Sequence, residues 1–293
     1  MGITSPAITI AVPAMFGNIK PALDLIKKLG PTDFSADAPG YDIKPGATIK
    51  VPVSGVSAAS EYNADNNNYV TGGDTSWASL TATHYLQGFD ITGVNVDEGC
   101  DAPKFKQLFA ERAGAGIAMT CVGNVAGALD GVTASTGVVL PVLASTGVED
   151  YMGLGADKGW LNRATSVLAL NGAEYANLKR KFANEHIIGT DEELAKFVGY
   201  KDIVCVTGME ARAVILPYGS FGTIARVPTI IANYMESGVQ VDEDSGLAVG
   251  IVVANDQAHN RIITNADIWF GTKVLASNAA GSTPGAVKVG TAG

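Results

Sequence analysis

The segment Ala59-Ser-Glu-Tyr-Asn-Ala-Asp-Asn-Asn-Asn-Tyr-Val-Thr-Gly-Gly-Asp-Thr-Ser-Trp77 decides how the rest of the chain is read. It is too polar to build a core. It is also too long for an ordinary loop, because structureless loops beyond about 12–15 residues are uncommon in compact domains. It lies within a stretch from Lys50 to Lys104 that has no intervening Lys or Arg and is rich in Asn, Ser, Thr and Gly. Its flanks alternate: Ile49, Val51 and Val53 before it, and Thr81, Thr83, Tyr85, Gln87, Phe89 and Ile91 after it. That alternation is the pattern of half-buried strands. A long two-stranded ribbon with a polar tip fits both facts.

With arms of about 12 residues the ribbon would reach roughly 40 Å, against a radius of gyration near roughly 19 Å for a compact chain of this length. Such a ribbon is marginal alone in water, so a neighbouring subunit is expected to support it. Glu61, Tyr69, Trp77 and Tyr85 are the candidate contacts with that neighbour. Trp77 stands out because it sits in the polar arm with no obvious intramolecular core, which leaves an interface anchor and local packing equally open.

On the N-terminal side, residues 1–45 read as an arm. Pro21-Ala-Leu-Asp-Leu-Ile-Lys-Lys-Leu29 forms a short helix that Pro21 starts and Gly30-Pro31 stops, with extended, Pro-punctuated chain on either side. Residues 46–100 are the ribbon, and 101–134 follow as the longest helical pattern. Asp101 is its expected cap and Pro103 lies in its first turn. Phe105, Leu108, Phe109, Ile117, Cys121, Val125 and Leu129 recur at helical spacing as far as Gly131. Gly114, Gly116, Gly123 and Gly127 each cost about 1 kcal/mol against Ala, unless they admit a close backbone neighbour.

From about residue 135 to 228 strands alternate with helices, as in a small α/β unit. A strand at Ser166–Leu170 precedes an amphipathic helix at Ala173–Phe182, and a short helix at Glu192–Phe197 precedes strands at Ile203–Val206 and Ala213–Pro217. Residues 229–275 are dominated by strands, at 238–246, 247–253 and 261–270. The tail, 276–293, has almost nothing with which to pack, so a partner is expected to hold it.

The bulk properties narrow the function. The chain has 293 residues, of which 47% are hydrophobic and only 17% charged, below the usual quarter. A surface so poor in charge is expected to be covered by something other than water. A net charge of −9 argues against nucleic acid as a ligand, because phosphate binding needs a cationic footprint. It does not exclude a container for nucleic acid, whose wall should not adhere to its contents. Cys100, Cys121 and Cys205 form neither a disulfide framework nor a zinc site. No secretory signal opens the chain, and no apolar run reaches the roughly 18–20 residues of a membrane span. A soluble protein made in the cytoplasm is expected.

Motifs for chemistry are weak. His84, His186 and His259 are the only histidines, and none stands at metal-ligand spacing from another. Pro217-Tyr-Gly-Ser220-Phe-Gly222 is the nearest approach to a nucleophile elbow, and its first Gly is misplaced. Gly153-Leu-Gly155-Ala-Asp-Lys158-Gly159 misses phosphate-loop spacing and reads as a turn or weak helix. Asp242-Glu-Asp244 before Ser245-Gly246 reads as a hairpin turn rather than a calcium loop. Lys179-Arg180-Lys181 reads as a solvated helix face or an inter-subunit salt-bridge site. No catalytic residue, cofactor or metal is expected.

The order of arm, ribbon, long helix, α/β block and closing strands resembles the tailed-phage major capsid protein family. The wording is sharpest in Ala225-Arg-Val-Pro-Thr-Ile-Ile-Ala-Asn-Tyr234. It is equally sharp in Gly238-Val-Gln-Val-Asp-Glu-Asp-Ser-Gly-Leu-Ala-Val-Gly-Ile-Val-Val-Ala-Asn-Asp-Gln-Ala-His-Asn-Arg-Ile-Ile263, which runs on into Ile268-Trp-Phe-Gly271. Ser166–Phe182 is similar to the strand and helix of that family's A-domain.

The resemblance implies an α+β fold with an N-arm, an extended β-hairpin E-loop, a long spine helix, a P-domain sheet and an α/β A-domain. It implies a structural protein of the virion, synthesised in the host cytoplasm, whose copies form hexamers and pentamers of an icosahedral shell around double-stranded DNA. Scaffolding, portal and decoration proteins are the implied partners, and no membrane is. Some members cross-link a Lys of the E-loop to an Asn of a neighbour. Lys50 and Lys104 only flank the ribbon here, so no cross-link is expected, and denaturant-resistant ladders on a reducing gel would contradict that. With Met1 opening a short N-terminal segment, a separate scaffolding protein, or none, is expected rather than a fused and removed scaffold. The competing expectations are an encapsulin-type nanocompartment shell, with cargo protein in place of a genome, and a soluble α/β hydrolase-like enzyme.

Overall fold

Met15, Ile19, Leu23, Ile26 and Leu29 recur every three or four residues and are at most 2% exposed. They are the buried stripe of helix α1, Pro6–Lys28, in the computed structural model, which describes residues 6–33, 48–54, 75–92, 103–132, 134–156, 161–185, 190–226, 236–241, 248–275 and 286–291. This corrects the expectation of a short helix that begins at Pro21 in an otherwise extended arm. Pro13 and Pro21 both lie inside α1, where a proline costs about 3 kcal/mol in an unsupported helix. Each buried aliphatic side chain of the stripe contributes about 1.5–3 kcal/mol, so packing overrides the two prolines. The stop was legible: Gly30, at φ +65°, donates its N–H to the carbonyl of Lys27 at 2.9 Å.

The stripe lies against α2, Pro103–Asp130, which at 1.5 Å per residue runs about 42 Å. Ala110, Ala113, Ile117, Cys121, Val125 and Leu129 form its buried face. Of the four glycines, Gly114 is where the helices touch, since a Cβ there would collide with the backbone carbonyl of Met15. Gly116 packs on Gln87, whose Cγ lies 2.9 Å from where a Cβ would stand, whereas Gly123 and Gly127 face open space.

Two sheets share this helical backing. The larger has the order β1 (Thr32–Asp33), β9 (Phe221–Arg226), β12 (Arg261–Val274), β11 (Ala248–Asp256), β10 (Glu236–Val241), with β4 (Thr83–Thr92) on the other side of β12. All its pairings are antiparallel except β1 with β9. Phe221, Ala225, Val249, Ile251, Ala266, Ile268 and Phe270 fill the space between this sheet and the two helices. The smaller sheet has the order β5 (Ala134–Leu140), β13 (Val287–Thr291), β8 (Ala213–Leu216), β6 (Val167–Leu170), β7 (Asp202–Cys205). One of its faces, with Val167, Ala169, Val204, Val214 and Leu216, joins the same core. The other is covered by α3 (Val148–Gly153), α4 (Gly172–Glu185) and α5 (Asp191–Val198), through Tyr151, Leu178, Phe182, Leu194 and Val198.

Strand β13 corrects the expectation for the tail. Val287 and Val289 are buried in this second core, and β13 pairs parallel with β5 and antiparallel with β8. Lys288 donates from Nζ to the carbonyl of Asp130 at 2.8 Å, where a cation suits the C-terminal end of α2. The subunit itself holds this segment.

The ribbon is also redrawn. Strands β2 (Thr48–Ser54) and β3 (Thr75–Thr81) pair antiparallel, with Thr48 opposite Thr81 and Ser54 opposite Thr75. The chain then turns at the buried Ala82, and β4 leaves the hairpin to pair with β12 along Thr83–Thr92. The alternation of residues 81–91 was a true strand signal, but it could not report which partner the strand takes.

Candidate functional site

The hairpin has its own small foundation. Val51 on β2 and Leu80 on β3 are at most 2% exposed and pack with Ala82, Ile224, Trp269 and Leu275 on the outer face of the larger sheet. The crossing is close because Gly271 on β12 carries no side chain; a Cβ there would meet the carbonyl of Thr81. Lys273 adds a hydrogen bond from Nζ to the carbonyl of Ser79 at 2.9 Å, and the Thr48 and Thr81 hydroxyls lie 3.0 Å apart. The root is therefore fixed to the body by a cluster of six buried apolar side chains and a few polar contacts.

Beside the root, the outer face of β4 and β12 carries His84, Leu86, Asp267 and Trp269. His84 stacks on Trp269 with ring centroids 4.9 Å apart and planes 20° apart. Its Nε2 stands 4.0 Å from Oδ1 of Asp267, a buried oxygen that has no hydrogen-bond partner among the described residues. Burial pushes the Asp267 carboxyl above the usual range, and the nearby His84 partly opposes that.

A second exposed feature sits where β5 ends. Val139 is 47% and Val142 58% exposed, with Leu143 beside them. The loop that carries them is held from beneath by a buried polar network. Glu174, 1% exposed, accepts from the Arg212 guanidinium and from the Tyr151 hydroxyl. Arg212 also donates to the Pro141 carbonyl at 2.5 Å and to the Thr146 hydroxyl at 3.3 Å. Asn177 donates to the Thr146 carbonyl at 3.3 Å. Burial first, and then the bond to Glu174, pushes the Tyr151 phenol well above its ordinary value. The apolar loop is thus presented rigidly. A third feature is an apolar hollow of about 500 Å³ between α1 and α2, lined by Pro21, Ala22, Leu25, Met119 and Val122 among others.

The sequence candidates fall as follows. Glu61 and Tyr69 lie outside the described residues. Trp77 is on β3, in register with Pro52. Tyr85 is on β4, half-buried against the helical core, and its hydroxyl donates to Oδ1 of Asn124 on α2 at 3.1 Å. The structure therefore engages Tyr85 inside the subunit. The groups weighed for hydrolysis are not gathered. Ser220 closes the turn from Pro217, donating from Oγ to that carbonyl at 2.7 Å, and its carbonyl accepts from Leu275. His84 stands opposite Trp269, and His259 precedes Arg261 while pairing with Asp256 at 2.8 Å. The three are strung along β12 with spacings on the order of 20 Å. His186 lies outside the described residues.

Among the described residues no group of His, Cys, Asp and Glu could hold a metal ion, and no helix is long and apolar enough to cross a membrane. Gly153–Ala156 forms the end of α3 and a turn. The Lys179 ammonium pairs with Asp191 at 2.7 Å, and Arg180 donates to Asn177 at 3.0 Å, so this basic face makes bonds within the subunit. Cys121 and Cys205 are free thiols, and burial pushes the Cys121 thiol up to about 12. Cys100 and Asp242–Asp244 lie outside the described residues.

No protein-family model matches the sequence, and no curated protein matches it as a relative. Solved structures do match in fold. The chain is similar to the capsid of a native GTA particle, at 10% identity over 93% of this chain and 91% of that one, with a TM-score of 0.56. It is similar to a virus-like particle from Pyrococcus furiosus, at 12% identity over 94% and 98% of the two chains, with a TM-score of 0.52. A structure from Mycobacterium phage Che8 matches at 11% identity over 90% and 89%, with a TM-score of 0.51. The fold is α+β and of the capsid-shell class. More particularly, it is the fold of tailed-phage major capsid proteins, over nearly the whole chain.

Proposed function

We propose that this chain is the major capsid protein of a tailed-phage-like particle. Its copies associate into hexamers and, at vertices, pentamers of an icosahedral shell that encloses double-stranded DNA. The observation that carries this reading is the shared fold over 93% of the chain with a GTA capsid, joined to a hairpin, β2 and β3, seated on the outer face of the larger sheet by a small apolar cluster. On this reading the ribbon lies across a neighbour, and Glu61, Tyr69 and Trp77 are its proposed contacts. The net charge of −9 suits a wall that repels the phosphates it encloses. The same reading makes the protein structural rather than catalytic, places it in the virion after synthesis in the host cytoplasm, and gives it scaffolding, portal and decoration proteins as partners. Lys50 and Lys104 remain poor candidates for a covalent cross-link.

Electron microscopy and light scattering of the purified chain test the reading. Closed megadalton particles are expected; a monomer or dimer that persists under all conditions overturns it. A second reading, a cellular nanocompartment, is favoured by the likeness to the virus-like particle from Pyrococcus furiosus. Particles isolated from the native source then contain protein cargo and no genome, which the ratio of absorbance by nucleic acid to that by protein decides.

A further inference from the structure

We propose that the loop of residues 141–147, together with the end of β5, is where copies of this chain meet one another around the axis of a ring. The contact rests on the shell reading, which supplies the rings but leaves their contacts beyond the hairpin unassigned. Val139, Val142 and Leu143 are all exposed, Val142 the most at 58%. Single exposed aliphatic side chains are ordinary, but three within five positions make a patch that marks a contact. The sequence adds a second sign. Residues 131–148 include no Asp, Glu, Lys, Arg or His, although the chain carries a net charge of −9.

That absence of charge favours a second copy as the partner. At a rotation axis every exposed charge recurs once per copy with the same sign, and like charges brought together are costly. An uncharged apolar tip escapes that cost and gains from being covered. The tip is also held in shape beforehand. The Val142 carbonyl accepts from the N–H groups of Ser145 and Thr146 at 2.9 and 3.2 Å, and the Thr146 hydroxyl donates to the Pro141 carbonyl at 3.1 Å. Arg212, anchored on Glu174, holds Pro141 from beneath. A loop fixed in this way loses little conformational freedom on association.

The two edges of the smaller sheet differ in the same sense. β5 is its terminal strand on the loop side, and β7 is terminal on the other. At β7 the Ile203 N–H is taken by the Asp202 carboxylate at 2.8 Å, and Lys201 is exposed. A charged edge whose backbone is capped by its own side chain resists pairing with another chain, which leaves the β5 side for copies. The charged groups nearest the tip in sequence lie on α3. Asp150 accepts from the Gly147 N–H at 2.7 Å. Glu149 is exposed and borders a hollow of about 250 Å³ beside Val138 and Val139, so it marks where the uncharged surface ends.

Particle yield of the full-length chain, read by sedimentation and electron microscopy, tests the contact in V142D, in V142K and in their equal mixture. Val142 is exposed, so both variants are expected to fold with an unchanged denaturant midpoint. Each alone is expected to lose about tenfold or more in yield, because the new charges meet their like. The mixture is expected to recover most of that loss, since opposite charges then alternate around the axis. Normal yield from either variant overturns the contact. A loss that the mixture does not relieve overturns it too, because the loop then meets a different polypeptide or a different surface. If either variant fails to fold, V142C decides: disulfide-linked copies are expected when its particles are oxidised, and no more than in the unsubstituted chain overturns the contact. An unsubstituted chain that forms no particles overturns the shell reading and this contact with it. Where the unsubstituted chain does form them, the failures above overturn the contact alone.

Discussion

The body and the hairpin of this subunit are built on opposite terms. Under α1 and α2 one continuous core draws on both helices and both sheets, from Met15 and Ile19 through Ile117 and Leu129 to Ile268 and Phe270. The hairpin root rests on a small cluster of Val51, Leu80, Ala82, Ile224, Trp269 and Leu275, with Ile49 and Ala78 packed against it. The body is held by burial between elements far apart in the chain, whereas the described part of the hairpin, β2 and β3, is held to it by one small cluster. The difference separates what holds the body together from what anchors the hairpin to it.

Substitutions can break that separation or sharpen it. Phe270, fully buried between β12 and the helices, is expected to cost about 3–5 kcal/mol when changed to Ala, read as a lower denaturant midpoint for the whole subunit. Arg212→Leu leaves Glu174 buried with its charge unpaired, at a cost of about 3 kcal/mol or more. Its effect should include proteolytic nicking of the loop at Pro141–Thr146, which loses its tether. Leu80→Ala is expected to cost about 2 kcal/mol, felt by the hairpin before the body. Cleavage between β2 and β3 should speed up while the main unfolding transition barely moves. Removal of Tyr62–Asp74 is expected to leave stability within about 0.5 kcal/mol while particle yield collapses in sedimentation. A deletion that assembles normally would show that the ribbon does not join subunits.

Much of the body was legible because its signals are local. Ile117, Cys121, Val125 and Leu129 repeat at helical spacing and are buried, whereas Leu108 of the same pattern is exposed, and Gly30-Pro31 marks the stop of α1. The short helix expected at Glu192–Phe197 is α5, where the structure adds a cap: the Thr190 hydroxyl accepts from the Glu193 N–H and the Glu193 carboxylate accepts back from the Thr190 N–H. What was not legible depends on distant partners. Pro13 and Pro21 argue against a helix, and only α2 packed alongside makes one stable. Phe221–Arg226 is a short strand interrupted by Gly222, so β9 gives little alternation to detect. β13 needs only Val287 and Val289 to be buried, and nothing around them announces a sheet centre.

The site was less legible than the body. A long polar stretch pointed to a projecting ribbon, but the residues of its root, Ile224, Trp269 and Leu275, are some 150 positions or more further along the chain. His84 and Asp267 carry no spacing that predicts their meeting. Tyr85 alternated correctly yet turned out to face α2, because β4 changes partner at Ala82.

Strand β13 has a temporal consequence. It lies between β5 and β8, yet all those strands emerge from the ribosome before it exists. Until residues 287–291 are made, two adjoining strands lack a shared neighbour and their hydrogen-bonding groups stay unmatched. A nascent chain halted earlier cannot close that sheet. This sheet therefore closes only once translation has passed residue 291, however early its other strands have formed.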